Sequence, residues 1–107
     1  RLLTGTNLLG PTEERGTLLR ILGAVAIERG DWTGAERYLQ ESLDIFRQIR
    51  NQLGEGRAWH QLGRLAVKQG EMGDARHQLQ RAIEIFRQVG ARLDAAAATQ
   101  ILAGLPA

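Results

Sequence analysis

The sequence predicts an all-α solenoid, a row of antiparallel helix pairs stacked side by side, and three observations carry that expectation. Residues 11–50 laid over residues 51–90 without a gap are identical at 12 of 40 positions, among them Gly23/Gly63, Ala26/Ala66, Gly30/Gly70 and Ala35/Ala75. The clearest block is Ile45-Phe46-Arg47-Gln48, which recurs as Ile85-Phe86-Arg87-Gln88. A period of ~20–50 residues marks units that bury their apolar faces only against their neighbours. Within each period apolar residues recur every three to four positions, which is helical spacing, and nothing alternates as a strand would. A chain of this kind acts through a surface, not through a catalytic pocket.

The elements follow in order. Residues 1–11 read as a lead-in or the end of a preceding repeat, with Gly5-Thr6-Asn7 as a turn. The first repeat, 12–50, opens at Thr12, whose hydroxyl can cap the free amides while Glu13 and Glu14 favour the N-terminal dipole. Leu18, Leu19, Leu22, Val25 and Ala26 form the expected inward stripe of its helix A, and Gly30 ends it. Asp31 caps helix B, which carries Ala35, Leu39, Leu43, Phe46 and Ile49 on one face. In the second repeat, 51–90, the same roles fall to Ala58, Trp59, Leu62, Leu65 and Ala66, then to Ala75, Leu79, Ile83, Phe86 and Val89. Residues 91–107 supply a third helix A and a tail, stopped by Gly104 and Pro106. The expected helices are 12–29, 32–50, 53–69, 72–89 and 91–103.

Composition narrows the function classes. At 107 residues with 43% apolar content the chain makes one small folded unit. It has no cysteine, which removes disulfides and thiolate chemistry and suits a reducing, cytoplasmic location. The pI near 9.9 suggests a nucleic-acid binder. The formal charge, however, is only +2, and no run of five or six like charges occurs. No apolar stretch approaches the ~18 residues that span a bilayer, so no membrane partner is expected. The chain reads as a piece of a longer protein.

Gly23 and Gly63 fall in mid-helix, where each costs about 1 kcal/mol against alanine, so close backbone approach is expected there, toward Ala35 and Ala75. The run Trp59-x2-Leu62-Gly63-x2-Ala66, then Ala75-x3-Leu79, resembles a tetratricopeptide repeat, and Leu19-x2-Leu22-Gly23-x2-Ala26 with Ala35-x3-Leu39 is similar. Alanine stands for the usual Tyr, leucine for the usual Phe, and no proline closes either unit. The period is 40 rather than ~34 residues, with all six extra residues between Ala35 and Trp59. Such long units resemble those of kinesin light chain, Pins-type polarity adaptors and the sensor arms of bacterial STAND-type ATPases and transcriptional regulators, which serve in signalling.

No catalytic constellation is visible. His60 and His77 are seventeen residues apart and lack the spacing of a helical metal pair, and there is no phosphate-binding loop. No catalytic residue, metal or cofactor is expected. The resemblance implies a concave groove lined by the A helices, at Thr17, Arg20, Ile21, Ala24, Ile27 and Glu28, then Arg57, His60, Gln61, Arg64 and Lys68, then Ala97, Gln100 and Ile101. The ligand-binding set expected from these is Arg20, Arg57, His60, Gln61, Arg64, Lys68 and Gln100. Its middle layer puts three fixed positive charges on one helix face, which favours an acidic peptide. The alternative is a solvated face whose arginines pair with Glu28 or Glu55. Relatives that grip a C-terminal carboxylate use lysine and asparagine where this chain has Arg20 and Ala24, so that clamp is absent in its usual form.

The expected function is a protein-interaction or sensor segment, not an enzyme, within a larger cytosolic protein, bacterial if it follows the sensor arms. Its expected partners are a protein or peptide of acidic character and the flanking repeats of its own parent chain. A packing module that dimerises through exposed solenoid ends, at Leu79, Ile83, Ile85 and Phe86, is the main alternative, and a nucleic-acid surface a more distant one.

Overall fold

Capping chemistry sets where the first three helices begin. The structure, a computed structural model, describes residues 10–106, and five helices are found there: α1 (Glu13–Glu28), α2 (Trp32–Gln48), α3 (Gln52–Lys68), α4 (Met72–Val89) and α5 (Arg92–Ala103). Thr12 Oγ1 accepts from the Arg15 amide at 3.1 Å, Asp31 Oδ1 from Gly34 at 2.9 Å, and Asn51 Oδ1 from Gly54 at 2.9 Å. Each bond satisfies an amide that has no partner within its helix. Gly30, Gly70 and Gly90 have φ of 76°, 78° and 76°, the left-handed turn that glycine adopts without steric cost. Arg50, with φ of 58°, makes the same turn at greater cost. The expected helices agree with these bounds to within two residues, and the turn expected at 5–7 lies outside the described residues.

The helices pack in chain order. α1 pairs with α2 and α3 with α4, α5 lies on α4, and α3 seals against both α2 and α1. The particle measures 55 × 32 × 17 Å, an elongated stack. One apolar cluster joins Ala26, Ile27, Ala35, Leu39 and Leu43 to Ala58, Leu62 and Leu65, and a second joins Leu79, Ala82, Ile83 and Phe86 to Ala98. Trp59 packs against both clusters and so ties the repeats together. Ser42, fully buried, donates from Oγ to the Gly16 carbonyl at 2.7 Å and so locks α2 to the first turn of α1.

Four expectations need correction. The inward stripe of α1 is Gly16, Leu19, Gly23, Ala26 and Ile27. Leu18, Leu22 and Val25 are instead exposed (55%, 36% and 44%), because no described helix lies where α2 lies for their equivalents Ala58, Leu62 and Leu65. Ile27, placed in the groove, is 1% exposed because it turns into the first cluster. Leu79, Ile83, Ile85 and Phe86 are all buried, α5 being long enough to cover α4, so they form no sticky end. The glycine contacts also shift by a turn. A Cβ on Gly63 would meet Leu79 Cγ and Cδ2 at 2.7 Å, and one on Gly23 would meet Leu39. The close approach is real, but leucine fills it rather than Ala35 or Ala75.

Candidate functional site: the face of the A helices

α1, α3 and α5 present their outer faces on one side, and helical spacing brings the basic groups of α3 together there. Arg57 reaches α5, where its Nε and Nη2 each donate to an Asp94 carboxylate oxygen at 3.2 Å. Arg64 reaches the other way, to Glu28 of α1 at 2.6 Å, and its Nη1 donates to Gln61 Oε1 at 2.7 Å. These two arginines therefore cross-link successive A helices instead of waiting for a ligand. Glu28 pairs as the solvated-face alternative requires, whereas Glu55 turns to Arg47 at 3.7 Å and serves a different surface.

Arg20 has no such bonded carboxylate. It is half-buried on α1 and makes no hydrogen bond or ion pair among the described residues. Burial foremost, and then the Arg57 charge beside it, push its pKa down, with Asp94 opposing. The guanidinium is thus only partly solvated, and Asp94 is a counter-charge nearby that it does not hydrogen-bond. A cavity of about 60 Å³ lies alongside, lined by Thr17, Arg20, Asn51 and Arg57 among others, room for a few waters but not for an organic ligand. His60 stands between these groups, its ring edge-on to Phe86 with centroids 6.4 Å apart. Burial first, then Arg64 and Arg20, hold its pKa below 6.5 against the pull of Asp94, so it is neutral near pH 7. Lys68 is exposed at the end of α3.

The structure thus brings Arg20, Arg57, His60, Gln61 and Arg64 into one cluster, with Lys68 at its margin. Gln100 does not join them. It borders an open cleft with Arg87, Arg92 and Thr99, because residue 100 lies on the solvent side of α5. That cleft, between α4 and α5, was not among the expected sites. Its signal in the sequence is Thr99 at the position that Trp59 holds one repeat earlier. No group of three or more His, Asp or Glu able to hold a metal occurs among the described residues. No helix there is long and apolar enough to cross a membrane.

Stacked antiparallel helix pairs, a conserved period within one chain and a polar face on the first helices define an α-solenoid interaction repeat. A tetratricopeptide-repeat family profile matches residues 14–88, most of the described chain, and the chain belongs to that family. Searches of curated proteins and of solved structures returned no match. Repeats of this family in general mediate protein–protein interaction and are not themselves enzymes.

Proposed function

We propose that this chain is an interaction or sensor segment of a larger cytosolic signalling protein, and that it binds an acidic peptide across the face of α1 and α3. The observation that carries this reading is Arg20, a half-buried cation with no hydrogen-bonded or ion-paired carboxylate and with a second guanidinium beside it. A peptide carboxylate supplies the charge-assisted hydrogen bonds that Asp94 does not give it. His60 and Lys68 add contacts, while Arg57 and Arg64, already ion-paired, act as the frame. Ile21, 47% exposed one position along α1, offers apolar contact to the same ligand. The 40-residue period supports a likeness to the long repeats of kinesin light chain, Pins-type adaptors and STAND sensor arms, and the cytosolic, signalling context comes with that likeness.

The test is titration of a fluorescent Asp/Glu-rich peptide against single charge reversals. Arg20→Glu weakens binding by about 2 kcal/mol or more, whereas Arg81→Glu, on the far side of α4 and paired with Glu84, changes it only through long-range charge. Equal losses from both variants would mean nonspecific attraction and sink the reading. Arg64→Glu is a poorer probe because it also sets two carboxylates against each other at Glu28.

A second reading is favoured by one observation, the exposed stripe Leu18, Ile21, Leu22 and Val25. It fits a stacking module whose α1 takes a further helix B, from its parent chain or from a second copy. Sedimentation separates the two: Leu22→Lys abolishes a concentration-dependent dimer if a second copy covers the stripe, and leaves acidic-peptide binding intact.

A further inference from the structure

The 40-residue offset relates two arginine environments that turn out to differ. Arg47, in the last turn of α2, holds its guanidinium 5.6 Å from the centre of the Trp59 ring, and its Nε lies 3.7 Å from Glu55. Both partners stand four residues apart on α3, so one helix offers this cation a ring face and a carboxylate together. Forty residues on, the corresponding trio is Arg87, Thr99 and Ala95. The helices are present, with α4 and α5 packed in succession as α2 and α3 are, but ring and carboxylate are replaced by small side chains. Arg87 makes no hydrogen bond or ion pair among the described residues. Beside it opens a cleft of about 590 Å³, with Ile83 and Leu102 at its base, Thr99 on its wall, and Gln80, Glu84 and Gln88 along its α4 side. It runs into a second opening bordered by Arg87, Arg92 and Ala95.

We propose that this cleft docks a helical segment of a partner protein that presents an aromatic side chain with a carboxylate four residues before it. The ring lies against Ile83 and Leu102 beneath the Arg87 guanidinium, and the carboxylate meets Arg87 and Arg92. Charge complementarity argues for this occupant, since both arginines are exposed and unpaired, while Glu84, the one carboxylate in the cleft's lining, is already paired with Arg81. The internal interface gives the spacing. The site lies away from the α1/α3 face and stands or falls independently of Arg20.

The test uses the isotope-labelled 107-residue chain and, as probe, a synthetic alanine-rich helical peptide carrying Glu-x3-Trp, followed by NMR titration. Shifts are expected on α4 and α5, around Arg87 and Thr99. Arg87→Ala weakens binding by about tenfold, the sum of one cation–π contact and one exposed ion pair. Arg87→Lys, which keeps charge but loses the flat guanidinium, recovers only part of it. Arg20→Ala leaves it unchanged. The double variant Thr99→Trp/Ala95→Glu fills its own cleft and loses the peptide. Undiminished binding of a Trp→Ala peptide, loss of binding in Arg20→Ala, or shifts confined to α1 and α3 would each overturn the proposal. So would a dimer of the unliganded chain that Arg87→Ala dissolves, since the occupant is then a second copy. Arg87, Thr99 and Ala95 all face solvent at least in part, so the variants keep the fold.

Discussion

At the scale of single residues, the two mid-helix glycines are where local propensity yields to packing. With Leu79 fully buried and its Cγ within 2.7 Å of a Cβ placed on Gly63, Gly63→Leu overpacks the α3/α4 seam. We expect a loss of about 1–3 kcal/mol in thermal melts, while Gly73→Ala, with open space around it, is neutral or slightly stabilising. Gly63 was legible in the sequence as a point of close approach because a costly residue in mid-helix needs a reason. Its partner was not, since the choice between Ala75 and Leu79 depends on how far the helices slide past one another. His60 gives a second test. Its folded pKa lies below the unfolded 6.5, so the unfolded chain binds more protons in that window, and stability is full above pH 6.5 and falls as pH drops through the folded value. His60→Gln should remove that part of the acid sensitivity, read as the slope of melting temperature between about pH 7.5 and 5. Binding of a carboxylate beside His60 favours its protonation, so acidic-peptide affinity rises over the same descent in pH.

At the scale of the helix, the same sequence position has two fates. Leu22 and Leu62 are forty residues apart in matched helices, yet Leu22 is 36% exposed and Leu62 is 2%. Leu62→Ala should cost about 2–5 kcal/mol, the range for a fully buried leucine. Leu22→Ala should cost about 1 kcal/mol or less in the same denaturation series, since it already faces water in part. Comparable losses from both would mean that something covers α1. Helix positions and starts were readable because caps and periodicity act within a few residues. Burial was not, because the face a helix hides depends on the element next to it, and α1 carries the pattern of an internal helix without an internal helix's neighbour among the described residues. The arginine stripe on α3 shows the same limit: helical spacing put Arg57 and Arg64 on one face, but their carboxylates, Asp94 and Glu28, come from different helices 37 and 36 residues away.

For the molecule as a whole, the 40-residue period was enough to foresee the stack, because each unit touches only its neighbours and the order in space repeats the order in the chain. The candidate site was less legible: six of its seven residues gather on or beside the α1/α3 face, but which of them are held in ion pairs emerged only from the structure. Those pairs also have a mechanical meaning. Glu28–Arg64 and Arg57–Asp94 run in line from α1 through α3 to α5 and join first helices only, like cords along one side of a stack of blocks. Tension on one side of such a stack biases its bend, by about 1 kcal/mol or less for each of these partly exposed pairs. At about 1 M salt, where charges are screened within ~3 Å, the cords slacken and the superhelix opens. Small-angle scattering should then show a radius of gyration above its low-salt value, while Asp94→Asn should produce part of that opening without added salt. A partner whose carboxylates compete for Arg57 or Arg64 would cut the same cords, so that binding and straightening become one event and the segment can report occupancy as a change in its own length.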